Sequence, residues 1–387
     1  MFNYGKHFIS TKDKKEVLKS LNEELLTTGK YVVDLEKQFS KILGCNFSIS
    51  CNSGTAGIHL ALMAINLKKG DNVLIPSINF VAAASICKLM GANIYFVDVN
   101  ETSFQSDYEC FKNTIKQNKL KKIKAIFLMH LGGFPAIDIK DILLLKKKYN
   151  CIIIEDACHA LGANYKLNKK KFVGNCDYSD FSIFSLHPVK SITAGEGGVV
   201  CTNSKSYCEK IKTLRSHGIT KKNKFRYEIY NNSLNYRLSD INCALALSQL
   251  RSLNKFILKR REIAKRYFKN FEKLIKNEII DIINYKFHKH SAWHLLILKI
   301  NFNKLKINYE NLYDQLKKKG IITQLHYIPT YKFSAFKKLS NPLKNSNKNS
   351  EFYFKNCISI PIFYNLSLID VDYISKQISL IFFRNLK

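Results

Sequence analysis

The stretch CIIIEDACHALG, residues 151–162, combines a short apolar run with an abrupt change to acidic and imidazole side chains. An unbroken apolar run of this length is typical of a strand that is buried on both faces of a parallel sheet. In such sheets, ligands bind outside the carboxyl ends of the strands. A carboxylate and an imidazole, those of Asp156 and His159, are therefore expected at the edge of a cleft.

The surrounding sequence repeats this alternation from about residue 12 to residue 200. Short β-rich segments alternate with helix-like segments, which indicates an α/β fold with a mainly parallel sheet and covering helices. The predicted strands are residues 48–51, 72–76, 93–97, 125–129, 151–155, 180–184 and 198–202. The predicted helices begin near Lys12, Asp34, Thr55, Phe80, Ile139 and Ser204.

A long amphipathic pattern, residues 240–277, follows this region, and it is compatible with two helices or one long connector. We predict a domain boundary there, with a large domain at residues 1–250 and a smaller α+β domain at residues 251–387. The smaller domain is expected to contain strands at residues 292–300 and 323–327 and helices at residues 309–319 and 371–382. The polar residues 340–350 are expected to form a flexible loop.

Composition indicates a globular protein of the cytoplasm. The 387 residues are 46% hydrophobic, which supports a sizeable core. No apolar run approaches the roughly 18 residues of a membrane span, and the first residues lack the order of a signal peptide. The eleven cysteines include no C-x-x-C pair, so reduced thiols are expected rather than disulfides.

The formal net charge of +32 raises the question of nucleic-acid binding. Only eight of the 62 basic residues are arginine, the residue best suited to bidentate recognition of phosphates and bases. The lysines are spread along the whole chain, which is typical of a solvated surface. We therefore expect no nucleic-acid partner and no membrane partner, although a positive field would attract an anionic sugar nucleotide.

The loop that follows the predicted strand 180–184 carries a lysine suited to covalent chemistry. It reads SLHPVKSITAGEGG, residues 185–198, and its small residues would allow the long side chain of Lys190 to bend over the strand ends. A carboxylate buried at Asp156 is costly without a partner, and a protonated pyridine ring is such a partner. Lys190 and Asp156 together predict pyridoxal 5′-phosphate, held by Lys190 as a Schiff base.

Other residues supply the remaining requirements of this coenzyme. The segment NSGTAG, residues 52–57, precedes an apolar helix, so Gly54 and Thr55 are candidates to hold a phosphate at the positive helix end. Ser185 could add a hydroxyl group to the phosphate, or be a simple turn serine. Phe80 could stack on the ring or belong to the core. His159 could support Asp156 or the coenzyme's phenolic oxygen, or be a satisfied core histidine.

The segment HKHSAWH, residues 288–294, has the residue types of a metal site. It has no acidic or cysteine ligand nearby and leads into a predicted strand, so we expect no metal there. Cys158 beside His159 suggests a thiol nucleophile, but no oxyanion-stabilising element is recognisable near the pair. A thiol mechanism would also leave the lysine loop without a role.

Together these residues resemble the sugar aminotransferases of the DegT type, within the fold-type I pyridoxal phosphate enzymes. The resemblance covers most of the chain. Its segments are residues 26–29, 52–56, 76–82, 130–138, 155–162, 184–198, 215–218, 235–238 and 326–329. The sequence of residues 187–198 is most similar to the corresponding sequence of transaminases of the pseudaminic acid pathway.

The resemblance implies a seven-stranded sheet and assigns further roles. Lys190 would form the Schiff base, Asp156 would pair with the pyridine nitrogen, and His159 would lie near the ring. Gly54, Thr55 and Ser185 would hold the phosphate, and Phe80 would stack. The residues assigned only by resemblance are Asn235, which completes the phosphate site of a neighbouring subunit, and the substrate contacts Thr28, His187, Arg237, His326 and Tyr327.

The implied active unit is a homodimer with shared active sites. Its implied amino donor is L-glutamate, and its acceptor is the keto carbon, at C-4, of a UDP-linked 6-deoxy keto sugar used for surface glycans. Two alternatives remain. One is sugar dehydration on the same fold, which in related enzymes accompanies loss of the lysine; Lys190 is present here. The other is a basic nucleic-acid-binding or regulatory protein that retains the fold.

Overall fold

A computed structural model describes residues 1–165, 171–337 and 347–387. Within these residues the helices are α1 Thr11–Ser20, α2 Lys30–Leu43, α3 Gly54–Ala64, α4 Ala82–Leu89, α5 Tyr108–Gln117, α6 Ile139–Tyr149, α7 Lys205–Leu214, α8 Asp240–Arg251, α9 Leu253–Asn270, α10 Glu272–Lys276, α11 Tyr309–Lys318, α12 Lys348–Asn356 and α13 Leu368–Arg384. The strands are β1 Phe47–Cys51, β2 Asn72–Pro76, β3 Asn93–Val97, β4 Ala125–Met129, β5 Ile152–Asp156, β6 Phe181–Ser185, β7 Gly198–Thr202, β8 Ile219–Lys221, β9 Tyr227–Ile229, β10 Ile280–Ile282, β11 Leu296–Ile300 and β12 Cys357–Ile360.

The first seven strands form one sheet in the order β1-β7-β6-β5-β4-β2-β3. Only β7 runs against its neighbours, and the other pairings between adjacent strands are parallel. The predicted α/β fold with a mainly parallel seven-stranded sheet is confirmed, and each predicted strand forms within one residue of its expected bounds. The small shift at β5 matters, because it makes Asp156 the last residue of that strand.

Strand register brings the important loops to one edge of the sheet. Asp156 is paired with Met129 on one side and with Ile183 on the other. Gly198 is paired with both Cys51 and Ser185. The segment after β1 and the loop after β6 therefore begin side by side.

Two hydrophobic clusters cover the two faces of this sheet. Successive side chains of a strand point to opposite faces, so Ile153 packs in one cluster and Ile154 in the other. The same alternation places Glu155 on the face of Ile153 and Asp156 on the face of Ile154. Only Asp156 thus shares a face with α3, whose Ile58 packs in the second cluster.

The C-terminal part of the chain forms a second layered unit. Strands β10, β11 and β12 make an antiparallel sheet, and its core packs against α9 and α13. The amphipathic residues 240–277 are the successive helices α8, α9 and α10. The strand predicted at residues 323–327 is wrong, because that segment makes only an isolated bridge between Gln324 and Ser359.

The proposed boundary at residue 250 falls just before α9. This helix contributes Phe256 and Ile257 to a core of the large sheet and Ile263 and Tyr267 to the C-terminal core, so it joins the two units. Of the predicted flexible loop, residues 340–346 lie outside the described residues, and the helix α12 starts at Lys348. Among the described residues no helix has the length and hydrophobicity that crossing a membrane requires.

Candidate active site

A cleft of about 510 Å³ lies at the carboxyl ends of the strands. Ten of the thirteen predicted site residues line it, namely Gly54, Thr55, Phe80, Asp156, His159, Ser185, His187, Lys190, His326 and Tyr327. Side chains that the sequence did not single out for this site also line it, among them Tyr4, Glu196, His294 and Gln324.

Lys190 reaches the cleft from the loop between β6 and β7. The loop is closed at its base, since Leu186 N–H donates to Gly197 O (2.8 Å) and Ala194 N–H donates to Leu186 O (2.9 Å). Asn242 on α8 donates its side-chain amide to Ala194 O at 2.6 Å. Burial lowers the pKa of the Lys190 amine, while Cys158 and Asp156 favour its protonated form. The result is a positioned amine that loses its proton more readily than a surface lysine does.

Asp156 is the buried acid of the cleft. Only 3% of the residue is exposed, and its Oδ1 accepts the backbone N–H of Cys158 at 3.3 Å. The thiol of Cys158 is not activated beside it, because burial, together with the field of Asp156, raises its pKa well above the ordinary value. Cys158 is therefore a neutral wall of the cleft rather than a nucleophile.

The N-terminus of α3 opens onto the same cleft. Ser53 caps the helix by accepting the N–H of Ala56 at 3.0 Å. The amides of Gly54 and Thr55 lie in the first turn, where no carbonyl of the helix can accept their hydrogen bonds. A Cβ atom at Gly54 would lie 3.1 Å from the Cβ of Ser185, so glycine lets the helix end approach the strand closely. This end can accept an anion.

His159 and Tyr327 form a hydrogen-bonded pair at the cleft. His159 Nδ1 accepts the backbone N–H of Gly132 at 3.3 Å, so the proton of the ring is on Nε2, which donates to Tyr327 Oη at 2.8 Å. Burial, with the field of Lys190, lowers the pKa of His159 well below its ordinary value. His159 is thus a neutral donor to Tyr327. It does not contact Asp156 through a side-chain hydrogen bond.

Two further histidines extend this group. His326 shares a hydrogen bond with Ser359 Oγ at 3.0 Å, and burial lowers its pKa to about 3. The ring of His294 lies 4.1 Å from that of His159, and burial lowers its pKa well below the ordinary value. The residue is 3% exposed, and its Nδ1 has no partner among the described residues. Segment 288–294, expected only to lead into a strand, therefore also supplies a histidine to the cleft.

Glu155 serves the opposite face of the sheet. Its carboxylate is fully buried and accepts hydrogen bonds from His130 Nε2 (2.6 Å), Tyr165 Oη (2.5 Å) and Ser182 Oγ (3.1 Å). Burial opposes ionisation of Glu155, but these donors outweigh it and lower the pKa. The network anchors β4, β5 and β6 directly behind Asp156.

Phe80 lies at the mouth of the cleft and is 52% exposed, so it is not a core phenylalanine. Its ring centroid is 5.8 Å from that of Tyr327, with the planes tilted by 56°. Helix α4 starts two residues later, at Ala82, near the predicted start at Phe80. The exposed ring is available to a flat ligand.

Thr28, Asn235 and Arg237 do not line the cleft of their own chain. The Asn235 carbonyl accepts from Asn52 Nδ2 at 3.1 Å, and its side-chain oxygen accepts the N–H of Arg237 at 3.2 Å. Thr28 lies nearby, because Thr27 forms a bridge with Ser239. Thr28 and Asn235 are exposed and Arg237 is partly exposed, and Asn235 lies next to the segment that leads into α3.

A second cleft of about 590 Å³ lies near the C-terminal ends of α3 and α7. Its charged lining residues are Lys68, Glu209 and Lys210, which are at least partly exposed. It contains no buried acid beside a buried amine. The cleft that contains Lys190 and Asp156 is therefore the candidate active site.

Comparison with known proteins identifies the family of this fold and site. A model of the DegT/DnrJ/EryC1/StrS aminotransferase family matches residues 8–379. The chain belongs to this family.

Relatives within this aminotransferase family match the chain over nearly its whole length. A UDP-4-amino-4,6-dideoxy-N-acetyl-β-L-altrosamine transaminase from Campylobacter jejuni is 36% identical over 378 residues, which are 98% of this chain and 96% of that protein. Helicobacter pylori PseC, an aminotransferase of pseudaminic acid biosynthesis, has a TM-score of 0.89 at 29% identity, with 99% of each chain covered. The resemblance drawn from the sequence motifs is confirmed.

A sugar aminotransferase from Streptococcus pneumoniae, Spr1654, is 25% identical with a TM-score of 0.87, and 99% of each chain is covered. Its solved structures include forms with pyridoxal phosphate and with pyridoxamine phosphate. This chain is thus an enzyme of the aminotransferase class, in a family that works with this coenzyme.

Proposed function

We propose that this aminotransferase binds pyridoxal phosphate through Lys190 and transfers an amino group from L-glutamate to the C-4 keto carbon of a UDP-linked 6-deoxy keto sugar. The observation that carries the proposal is the occurrence of Lys190, Asp156 and the open end of α3 in one cleft. The printed names of the Campylobacter jejuni and Helicobacter pylori relatives support the sugar and its use for pseudaminic-acid-type glycans.

The residues of the cleft fit this coenzyme. Gly54, Thr55 and Ser185 would hold its phosphate, because the free amides of the first helical turn and a nearby hydroxyl meet at that end. Asp156 would face the pyridine nitrogen as the buried acid, and Phe80 would offer its exposed ring. When bound, the coenzyme supplies an electron-withdrawing ring that stabilises negative charge at the substrate carbon.

The chain's own groups would carry out the proton transfers. Burial lowers the pKa of Lys190, which favours its neutral amine, and the residue would move a proton at the substrate's α-carbon. His159 keeps its proton on Nε2 and orients the Tyr327 hydroxyl toward the cleft. His187, His326 and Tyr327 are the proposed substrate contacts within the chain.

A labelled-donor assay tests the reaction. Purified enzyme is incubated with ¹⁵N-L-glutamate and a panel of UDP-linked 4-keto sugars, and the products are analysed by mass spectrometry. We expect one labelled amino group in the sugar nucleotide for each 2-oxoglutarate formed. Dehydrated sugar without glutamate consumption would instead support the dehydratase alternative, and salt-dependent duplex binding unaffected by the coenzyme would support the nucleic-acid alternative.

Borohydride reduction of the coenzyme-loaded enzyme tests the site itself. Peptide mapping should find the reduced coenzyme on Lys190, and Lys190→Ala should remove both the label and the visible absorbance band. A label on another lysine would refute the assignment. Lys6, which lies on the segment close to the Lys190 loop, provides a matched control as Lys6→Ala and should leave the label in place.

A homodimer with shared active sites explains the position of the three residues outside the cleft. Asn235, Arg237 and Thr28 lie together on the surface, where they can reach a partner's cleft. The same surface exposes large apolar side chains, since Leu25 is 54% and Leu234 is 59% exposed. Covering such side chains is the usual driving force for association.

Subunit mixing tests this arrangement. Lys190→Ala and Asn235→Ala homodimers are each expected to be impaired, but a heterodimer would contain one site with both residues intact. Random exchange in an equal mixture should therefore restore about one quarter of the sites. No recovery after demonstrated exchange would show that each site is built from one chain.

The eleven free cysteines favour a reducing compartment, and we place the enzyme in the cytoplasm.

A further inference from the structure

Arg260 is a buried cation on α9, the helix that joins the two units. Only 2% of the residue is exposed. Its Nη1 donates to the carbonyl oxygens of Ile362 (2.9 Å), Trp293 (3.1 Å) and His294 (3.5 Å). These carbonyls belong to the segment before β11 and the segment after β12. They hold the guanidinium in place, but they carry no formal charge and do not neutralise it.

The charge of Arg260 lacks a counter-charge from the protein. Within the described parts of the chain, Arg215, Arg251 and Arg266 each form an ion pair with a carboxylate, whereas Arg260 forms none. Burial lowers the pKa of Arg260 to about 10, which leaves the guanidinium protonated at neutral pH. A buried charge without a partner destabilises a protein. An anion beside Arg260 would offset this cost.

A small cavity adjoins this guanidinium. Its volume is about 10 Å³, and its lining includes Arg260, Lys190, Ser191 and Gln249. The Nε atom of Arg260 is buried and has no hydrogen-bond partner among the described residues. Buried polar groups in native proteins are nearly always hydrogen-bonded, so an unpaired N–H calls for an acceptor. Arg260 therefore brings both an uncompensated charge and an unpaired donor to this cavity.

The polar part of the lining suits an anion. Among the described residues that line the cavity, Lys6, Lys190 and Arg260 are cationic, and none is an aspartate or a glutamate. Ser191 is 7% exposed and adds a hydroxyl group. Asp13 lies behind the lining, where its carboxylate accepts hydrogen bonds from side chains of α8 and from its own helix cap. The cavity is therefore electropositive.

Aromatic rings form another side of the cavity and limit its size. The ring centroid of Tyr364 is 4.6 Å from that of Phe256 and 5.0 Å from that of Phe8. An apolar wall of this kind strengthens the attraction between an ion and a buried charge. The volume corresponds to one particle about the size of a water molecule, so phosphate, sulfate and carboxylate ligands are too large. A chloride ion suits both the size and the charge.

We propose that Arg260 Nε and Ser191 Oγ bind a chloride ion in this cavity. The ion neutralises the guanidinium where α9 joins the two units, behind the loop that carries Lys190. The site is separate from the coenzyme cleft, since neither Arg260 nor Ser191 lines that cleft. The net charge of +32 favours its occupation, because a positive field raises the local concentration of anions. The proposal goes beyond the proposed function and does not depend on the sugar substrate.

Bromide tests the site directly, because it can replace chloride and scatters X-rays anomalously. Crystals of the coenzyme-loaded enzyme are grown in sodium bromide, and diffraction is measured at the bromine absorption edge. We expect an anomalous peak within hydrogen-bonding distance of Arg260 Nε and Ser191 Oγ. A water molecule at this position, without an anomalous peak, would overturn the proposal.

Unfolding in solution distinguishes a binding site from binding at crystal concentration only. Urea unfolding of the coenzyme-loaded enzyme is compared in about 100 mM sodium chloride and in sodium gluconate of the same ionic strength. A site with a dissociation constant of about 10 mM would make the folding equilibrium constant about tenfold larger in chloride. A bromide peak in the crystal without any stabilisation specific to chloride would also overturn the proposal.

Matched variants assign the effect to this cavity. Arg260→Gln removes the charge and should abolish the difference between the two salts. Arg261→Gln is the control, because Arg261 Nε donates to Ser291 O at 3.0 Å and the residue does not line the cavity, so its chloride effect should remain. Ser191→Ala, which leaves Arg260 intact, should weaken chloride binding at least about tenfold, the effect of losing a hydrogen bond to a charged group. An unchanged chloride effect in folded Arg260→Gln or in Ser191→Ala would refute the assignment.

Discussion

Acidification should destabilise this protein through the buried histidines of its cleft, and His326 allows the effect to be calculated. The residue is 6% exposed, its pKa is lowered to about 3 by burial, and its Nδ1 is 3.0 Å from Ser359 Oγ. In the unfolded chain an ordinary histidine titrates near 6.5. Between these two values the unfolded state binds a proton that the folded state does not bind.

The free energy of unfolding therefore falls as the pH decreases from about 6.5 toward about 3, and it is unaffected by this group above about 6.5. At a pH of about 4.5 the unfolded histidine is protonated and the folded one is neutral. Two pH units at about 1.36 kcal/mol each give a loss of about 2.7 kcal/mol from His326 alone. His159 and His294 should add losses of the same sign, because burial lowers the pKa of each.

Urea unfolding of the coenzyme-free protein measures this loss, with the fluorescence of Trp293, the single and fully buried tryptophan, as the signal. The free energy of unfolding is compared at pH about 7 and about 4.5. His326→Asn should lose about 2–3 kcal/mol less than the wild type over this interval, whatever its absolute stability. The exposed His217, whose backbone φ of 61° asparagine tolerates, gives the control His217→Asn. The reasoning is refuted if the two variants show the same difference between the two pH values.

Three further changes follow from the geometry of the site. Asp156→Asn should retain the coenzyme but lower kcat about 100- to 1,000-fold, as measured by 2-oxoglutarate formation, because the carboxylate charge that would pair with the pyridine nitrogen is lost. Gly198→Ala should lower stability by about 1–3 kcal/mol and weaken coenzyme binding, since its Cβ would lie 2.4 Å from Ser53 O; thermal unfolding and a coenzyme titration check both effects. Glu155→Gln should lower the free energy of unfolding, measured in urea, by about 1–3 kcal/mol, because the three donors around the carboxylate lose their charged acceptor.

Much of the fold and the chemistry could be predicted from local patterns. Apolar runs such as residues 151–154 predict buried strands, because a strand covered on both faces needs apolar side chains at every position. The polar residues that end those runs predict the edge where a ligand binds. Lys190 and Asp156 were recognisable for this reason, although Asp156 ends β5 and Lys190 lies in the loop after β6.

Some features depended on contacts between distant parts of the chain. Tyr4 reaches the cleft only because Phe2 and Tyr4 pair with backbone near residues 320 and 362. His294 seemed to lead into a strand, but β11 begins two residues later and leaves its ring against His159. The segment 323–327 alternates like a strand, yet Gln324 has one bridging partner, and its next residues instead line the cleft.

The roles of Lys190 and Asp156 could therefore be predicted from the sequence, because the residues immediately flanking each of them indicate that role. The contacts between cleft residues could not, because they join segments more than 300 positions apart, such as Tyr4 and His326. Hydrophobic periodicity reports whether a side chain is buried. The periodicity does not indicate which distant side chain a buried residue will contact. Those contacts form only when the two units pack together.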